Sequence, residues 1–249
     1  MRNLLFTLAY DGTVYHGWQV QANGITIQQI LQDAIEKVLG RRENVVGCSR
    51  TDAGVHANMY CFNMRTESSY NCNRLVSALN ANLPFDISIT SCCEVSYEFH
   101  ARYDCVSKEY VYKIWNSPVR DPFKNGYALH YKYPLDEKML DKEAKAFLGE
   151  HDYASFCSTH SKIKSTTRNV SRFTVERFGE EIVFTVEADG FLYNMVRIMV
   201  GTLLKIAQGK IEQGSIGDII VAKDRSKAGT TAPAHGLYLN KVNYLLIES

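Results

Sequence analysis

Apolar and polar positions along this chain fall into short alternating runs and helical runs, separated mostly by glycine and proline turns. Leu4 to Tyr10 reads as an apolar strand, and Gly12 opens a loop through Gly17. Thr26 followed by Gln29 is a capping-box signature. Behind it Ile27, Ile30, Leu31, Ala34, Ile35 and Val38 recur at helical spacing, with Gly40 as the stop. Val45 to Cys48 and Met59 to Met64 read as strands, Asn73 to Ala81 as a helix, and Ile87 to Val95 and Ala101 to Trp115 as strands. Pro118, Pro122 and Pro134 punctuate a connecting region. Beyond it Asp136 to Leu148 is helical, and Val170 to Phe178 with Ile182 to Ala188 forms a hairpin around Gly179. Phe191 to Gln208 is a long helix with Met195, Ile198, Met199, Leu203 and Ile206 on one face. Ile216 to Ala222 reads as a further helix and Leu237 to Ile247 as a final strand. Helices and strands interleave with hairpin-like neighbours, so the expected class is α+β: two mixed subdomains with largely antiparallel sheet, residues 1–117 and 118–249.

Composition narrows the class. With 249 residues, 45% hydrophobic and 22% charged, the chain is long and apolar enough for one large or two modest cores. Disorder, which needs low hydrophobicity and high net charge, is excluded. The opening apolar run is too short for a secretory signal and is broken by Asp11. No stretch of about 20 apolar residues is present to span a bilayer. The expected compartment is the cytoplasm. Seven cysteines, without a C-x-x-C pair, argue against zinc ribbons and thioredoxin-like chemistry. The net charge of +1 conceals an uneven distribution, because His160 to Arg177 carries Lys162, Lys164, Arg168, Arg172 and Arg177 against Glu176 alone. Interleaved Ser and Thr there suit phosphate oxygens, although a solvated basic loop has the same composition.

The densest chemistry lies in Gly47-Cys-Ser-Arg-Thr-Asp-Ala-Gly-Val-His-Ala57, between two predicted strands. Arg50 and Asp52 are two apart and project to one side of an extended backbone. A neighbouring guanidinium favours the ionised carboxylate, which suits a nucleophile or a stabiliser of a developing cation and not a general acid. A structural Arg–Asp pair in a turn is the plain alternative. Asp52 and His56 have no further histidine or carboxylate at ligand spacing, so a metal site is disfavoured. A Ser49 nucleophile lacks the elbow it needs, and no phosphate loop or dinucleotide fingerprint is present. A reaction needing neither ATP nor a redox cofactor is favoured. In Ser107-Lys-Glu-Tyr-Val-Tyr-Lys113, alternation puts Tyr110 and Tyr112 on one sheet face with Lys108 beside them. That face can stack a splayed base, or simply pack across strands. Arg197 sits on an otherwise apolar helix and needs an anion, for which Asp52 is a candidate. Ala228 to Leu239 is a Gly/Thr/Pro loop leading into a strand, suited to shaping a pocket or merely turning the chain.

Taken in order, these segments resemble the bacterial tRNA pseudouridine synthase A family. Tyr10-Asp-Gly-Thr-Val-Tyr-His-Gly-Trp-Gln-Val-Gln21 is similar to its N-terminal signature and Ser49-Arg-Thr-Asp-Ala-Gly-Val-His-Ala57 to its catalytic loop. Lys108-Glu-Tyr-Val-Tyr112, Phe191-Leu-Tyr-Asn-Met-Val-Arg197 and Ala232-Pro-Ala-His-Gly-Leu-Tyr-Leu239 are similar to its later motifs. The resemblance implies the pseudouridine synthase fold, a catalytic Asp52 and an active-site Tyr110, with Arg50 and Arg197 around the carboxylate. It implies isomerisation of uridines 38, 39 and 40 in the tRNA anticodon stem-loop, by a homodimer with RNA across both subunits, and no metal or organic cofactor. Substrate contacts are expected from Tyr110, His56 and Leu237, with Lys162, Lys164 and Arg168 as the basic patch. Whether the carboxylate attacks the sugar, attacks the base or removes a ribose proton is open at this level.

Overall fold

The structure is a computed structural model that describes residues 1–158 and 165–245. Along the chain, strand β1 (Arg2–Tyr10) is followed by α1 (Ile27–Leu39), β2 (Val45–Gly47), β3 (His56–Thr66), α2 (Cys72–Asn80) and β4 (Ile87–Val95). Next come β5 (Cys105–Trp115), β6 (Leu129–His130), α3 (Glu137–Ala144), β7 (Gly149–Asp152), β8 (Thr167–Phe178) and β9 (Glu181–Ala188). Helices α4 (Met195–Ala207) and α5 (Ile216–Ala222) precede the last strand, β10 (Leu237–Tyr244). The class is α+β with largely antiparallel sheet, as the hydrophobic pattern predicts.

The chain divides into two compact units. One comprises Met1–Val106 with Tyr238–Ser249, the other Ser107–Leu237. The boundary therefore falls before Ser107 and not at residue 117, because β5 from Lys108 onward pairs residue for residue with β9. The expected simple division also misses the return of the chain. Tyr238 and Leu239 pair in parallel with His56 and Ala57, so the C-terminal strand belongs to the first unit.

In the first unit β1 lies between β3 and β4, antiparallel to both. Leu4, Phe6, Leu8 and Tyr10 alternate along β1, and all are at most 4% exposed. Phe6 stacks on its cross-strand partner Phe62 at 4.8 Å. Helix α1 begins where the capping box places it, with the Thr26 hydroxyl accepting from the Gln29 amide at 3.4 Å. It ends at Gly40, whose φ of 73° is the left-handed conformation that terminates helices. Its buried stripe is Ile27, Leu31, Ala34 and Ile35; Ile30 and Val38 lie at the margin, half-exposed. The expected strand from Ala101 starts instead at Cys105, because the Tyr103 and Asp104 amides fold back on the His100 carbonyl as a turn.

In the second unit β9 lies between β5 and β8, β7 pairs with the far side of β8, and short β6 runs parallel to β5. The hairpin closes at Gly179, with φ of 61°. Phe147 packs edge-on to Phe156 at 5.0 Å and stacks on Phe173 at 5.5 Å, joining the end of α3 to β8. Helix α4 is buried along most of its length, including Met195, Ile198, Met199, Leu203 and Ile206. It holds Val196, Ile198, Val200, Gly201 and Thr202, weak helix formers that each cost up to about 1 kcal/mol. Burial of its large apolar side chains, roughly 1.5–3 kcal/mol apiece, outweighs that cost. The helix starts at Met195, four residues later than the apolar run suggests, because Asn194 adopts a left-handed φ of 61°. No described helix is long and apolar enough to cross a membrane.

Two glycines let the loop after α5 lie against α4. A methyl on Gly201 would collide with the Thr230 carbonyl oxygen, and one on Gly229 would come within 2.6 Å of the Gly201 oxygen. The Thr202 hydroxyl donates to Ile198 O at 2.8 Å and accepts from the Gly229 amide at 2.8 Å. Gly201→Ala is expected to destabilise the protein by about 3 kcal/mol, the scale of severe overpacking, as read from a shifted urea midpoint.

Candidate active site

The loop carrying Asp52 leaves β2 and enters β3, and its seat is built by the segment that follows β1. The Trp18 amide donates to Thr51 O at 3.2 Å and the Gly54 amide to Tyr15 O at 3.2 Å. The buried Tyr10 and Thr51 hydroxyls bond at 2.8 Å. Neither backbone approach would survive a side chain: methyls on Gly12 and Gly17 would strike the carbonyl oxygens of Val55 and Thr51 respectively. Gly17 also has φ of 82°, which only glycine adopts freely. Trp18 stacks on Tyr60 at 4.0 Å, and the Tyr60 hydroxyl donates to Ser49 O at 2.5 Å. Tyr15 reaches Asp86 at 2.7 Å; burial, then that bond, pushes its phenol above the ordinary range.

Asp52 occupies the first position of a tight turn in which the Val55 amide donates to Asp52 O at 3.2 Å. The turn requires Gly54 at its third position, with φ of 75°. Arg50 is exposed, Thr51 buried and Asp52 half-buried, the alternation of extended backbone between two outward residues.

His56 is only 2% exposed. Its Nδ1 accepts from the Gly12 amide at 3.0 Å, and its ring stacks on Tyr238 at 4.7 Å. Asp11 Oδ1, 3.1 Å from the same nitrogen, is satisfied by the amide and hydroxyl of Thr13 at 2.9 and 2.5 Å. The structure thus packs His56 against Gly12 and Tyr238 beneath the loop.

The later motifs come together in the second unit. Tyr110 is 6% exposed and lies edge-on to Phe191 at 4.9 Å. Fully buried Tyr112, two residues along the same face, donates to Pro233 O at 2.9 Å. Burial pushes its phenol upward, against the opposing pull of the Arg197 charge. Arg197 is half-buried on the first turn of α4. Its Nε donates to Ala232 O at 2.8 Å and a terminal nitrogen to Asn194 Oδ1 at 2.7 Å, while the Ala232 amide returns a bond to Arg197 O at 3.0 Å. Two neutral oxygens thus take part in positioning the guanidinium. The left-handed Asn194 that delays α4 is what brings its amide within reach. Leu237, 5% exposed, is the first residue of β10.

The basic stretch is less available than its composition suggests. Arg177 is bound to Glu137 at 2.9 Å and to the oxygens of Asn116 and Leu135 at 3.0 and 2.7 Å. Arg172 pairs with Glu109 at 3.4 Å. Arg168 stays half-exposed and donates to the Ser165 and Thr167 carbonyls. Lys162 and Lys164 lie outside the described residues. The sequence pattern gave no sign that acids distant in the chain would take up Arg172 and Arg177. Nor did it mark the supporting roles of Tyr10, Gly12 and Tyr60, for which the dense glycine and aromatic content of residues 10–24 was the available signal. Among the described residues no three His, Cys, Asp or Glu side chains are grouped to hold a metal ion.

A family model described as tRNA pseudouridine synthase matches residues 7–104 and 144–245, which include the Asp52 loop and the motifs at Phe191–Arg197 and Ala232–Leu239 but not Lys108–Tyr112. The chain is 45% identical over 244 residues to a tRNA pseudouridine synthase A of Thermoanaerobacter sp. (strain X514), covering 98% of this chain and 100% of that one. It is 43% identical over the same length and coverage to a tRNA pseudouridine synthase A of Brevibacillus brevis, and to a tRNA pseudouridine synthase A 2 of Clostridium perfringens. This chain belongs to the tRNA pseudouridine synthase family.

The glycine seat can be tested without substrate. Gly17→Ala combines a strained φ with a backbone collision and is expected to cost about 2 kcal/mol or more. Hydrogen exchange at the Gly54 amide should accelerate in the variant, whereas an unchanged exchange rate would show that the loop does not depend on this approach.

Proposed function

We propose that this chain isomerises uridine to pseudouridine in tRNA, at positions 38, 39 and 40 of the anticodon stem-loop, with Asp52 as the catalytic carboxylate. The observation that carries the reading is the seat of Asp52, a half-buried carboxylate on a glycine turn whose flanking residues are pinned, within the stretch matched by the family model. The reaction breaks the bond from ribose C1′ to N1 of uracil, turns the base and forms a bond from C1′ to C5. The proton leaves C5 and N1 gains one, so no water, oxidant or energy source is consumed. A stacked target must first leave the helix. A carboxylate serves the glycosidic step by attacking or stabilising an electron-poor sugar, by adding to the base, or by removing a ribose proton. A second carboxylate is not required, because no water is activated.

In this reading Arg50 and Arg197 keep Asp52 ionised, since nearby cations favour the charged form. Tyr110 stacks on the uracil, and its phenol relays the C5 proton. Leu237 contributes an apolar contact, and Lys162, Lys164 and Arg168 take backbone phosphates. His56, buried at the foot of the Asp52 loop, belongs to the same contact set. We place the enzyme in the cytoplasm as a homodimer with RNA across both subunits; its seven free cysteines fit a reducing compartment.

Asp52→Ala and Asp52→Asn are expected to abolish pseudouridine formation on anticodon stem-loop transcripts while retaining RNA binding; normal turnover in either removes Asp52 from the chemistry. Deuterium on the ribose carbon beside C1′ separates the routes, since a primary isotope effect assigns proton removal. Neutralising Lys162, Lys164 and Arg168 together should lower the slope of log affinity against log salt by about 2, and an unchanged slope places the RNA elsewhere.

A further inference from the structure

We propose that Lys108 holds a phosphate of the RNA strand at the target nucleotide. The inference deepens the reading of this chain as a tRNA-modifying enzyme and rests on it. Lys108 is only 8% exposed, which is rare for a lysine. Among the described residues its side chain makes no hydrogen bond and no ion pair. The acids nearest to it in the sheet are engaged elsewhere. Glu109 and Glu187 stand opposite one another across β5 and β9. Glu109 is taken by Arg172 at 3.4 Å, and Glu187 accepts from Ser107 at 2.5 Å. Strand alternation puts both acids on the face away from Lys108.

On its own face the cross-strand partner of Lys108 is Ala188, and that of Tyr110 is Val186. Among the described residues the side chain meets no carboxylate, and its ammonium is not a buried unpartnered group: the stem is covered and the head reaches water, leaving its charge at the edge of an apolar face. A negatively charged ligand would complete it, and low local polarity would strengthen the attraction. Tyr110 lies two residues along the same face, roughly 6.6 Å away along the strand. That separation is of the order of the distance from a base to its own phosphate. With uracil on Tyr110, a phosphodiester next to the target uridine falls to Lys108. Lysine provides the point charge that such an oxygen takes without demanding planar geometry. This contact is distinct from the basic patch, because a single ammonium on a stem that is nine-tenths buried has little freedom to move and selects one linkage, whereas an exposed patch does not.

The test measures binding of an anticodon stem-loop RNA to the full chain carrying Asp52→Asn, with and without Lys108→Met or Lys108→Arg. Single methylphosphonates replace the phosphodiesters around the target uridine one at a time. Lys108→Met is expected to weaken binding about tenfold and to lower the salt slope by about 1, with Lys108→Arg retaining most of the affinity. One neutral linkage should weaken binding to the Lys108 protein and weaken the Lys108→Met protein no further. Wild-type affinity and slope in Lys108→Met, or losses that add in full at every linkage, overturn the proposal. Should Lys108→Met fail to fold, the linkage scan on the Lys108 and Lys108→Arg proteins decides: a uniform response along the strand overturns it. Failure of the Lys108 protein to bind any of these RNAs would instead reject the functional reading on which the inference rests.

Discussion

The first unit depends on backbone lying directly against backbone. The chain from Gly12 to Trp18 touches the loop from Thr51 to Val55 with no side chain between them, at two points where a methyl group would collide with a carbonyl oxygen. Amide hydrogen bonds from Trp18 and Gly54 lock the contact, and the Tyr10–Thr51 bond seals it from inside. Little of this depends on exposed charge. The seat of Asp52 is consequently resistant to ionic strength, while phosphate binding is governed by it. A fall in activity at high salt would report lost RNA and not a lost loop.

The second unit solves the same problem in the same way. Gly201 and Gly229 bring α4 and the following loop together, and Thr202 bridges them with its hydroxyl. Arg197 then donates to a main-chain carbonyl and an asparagine oxygen, which fix its direction. Tyr112, bonded to Pro233, ties the same loop to the strand that carries Tyr110.

Much of this was legible in the sequence wherever the determinant was local. Thr26 with Gln29, Gly40, the run from Ile87 to Val95 and the helix from Ile216 to Ala222 each carry their own capping or periodicity signal, and each forms where expected. The late start of α4 was not legible, because an apolar run does not reveal that Asn194 turns left-handed. The short strands β6 and β7, of two and four residues, offer too little pattern to detect. The active-site motifs were visible as motifs, yet the packing of His56 was not. A histidine four residues from a candidate carboxylate reads as a partner in chemistry, and only its packing against Gly12 and Tyr238 shows that it faces inward. The pairing of Arg172 and Arg177 is hidden for the corresponding reason: their acids are 63 and 40 residues away.

The return of β10 to the first unit has a consequence for biogenesis. Tyr238 supplies the ring that stacks on His56, and with Leu239 it pairs the opening residues of β3. On the ribosome those residues wait through synthesis of the entire second unit with one edge unpaired. The loop bearing Asp52 receives this support only after the second unit has been made. Chains that stop early therefore carry the whole motif but display its carboxylate on an unbraced turn, and quality control by proteolysis has an exposed strand edge to recognise.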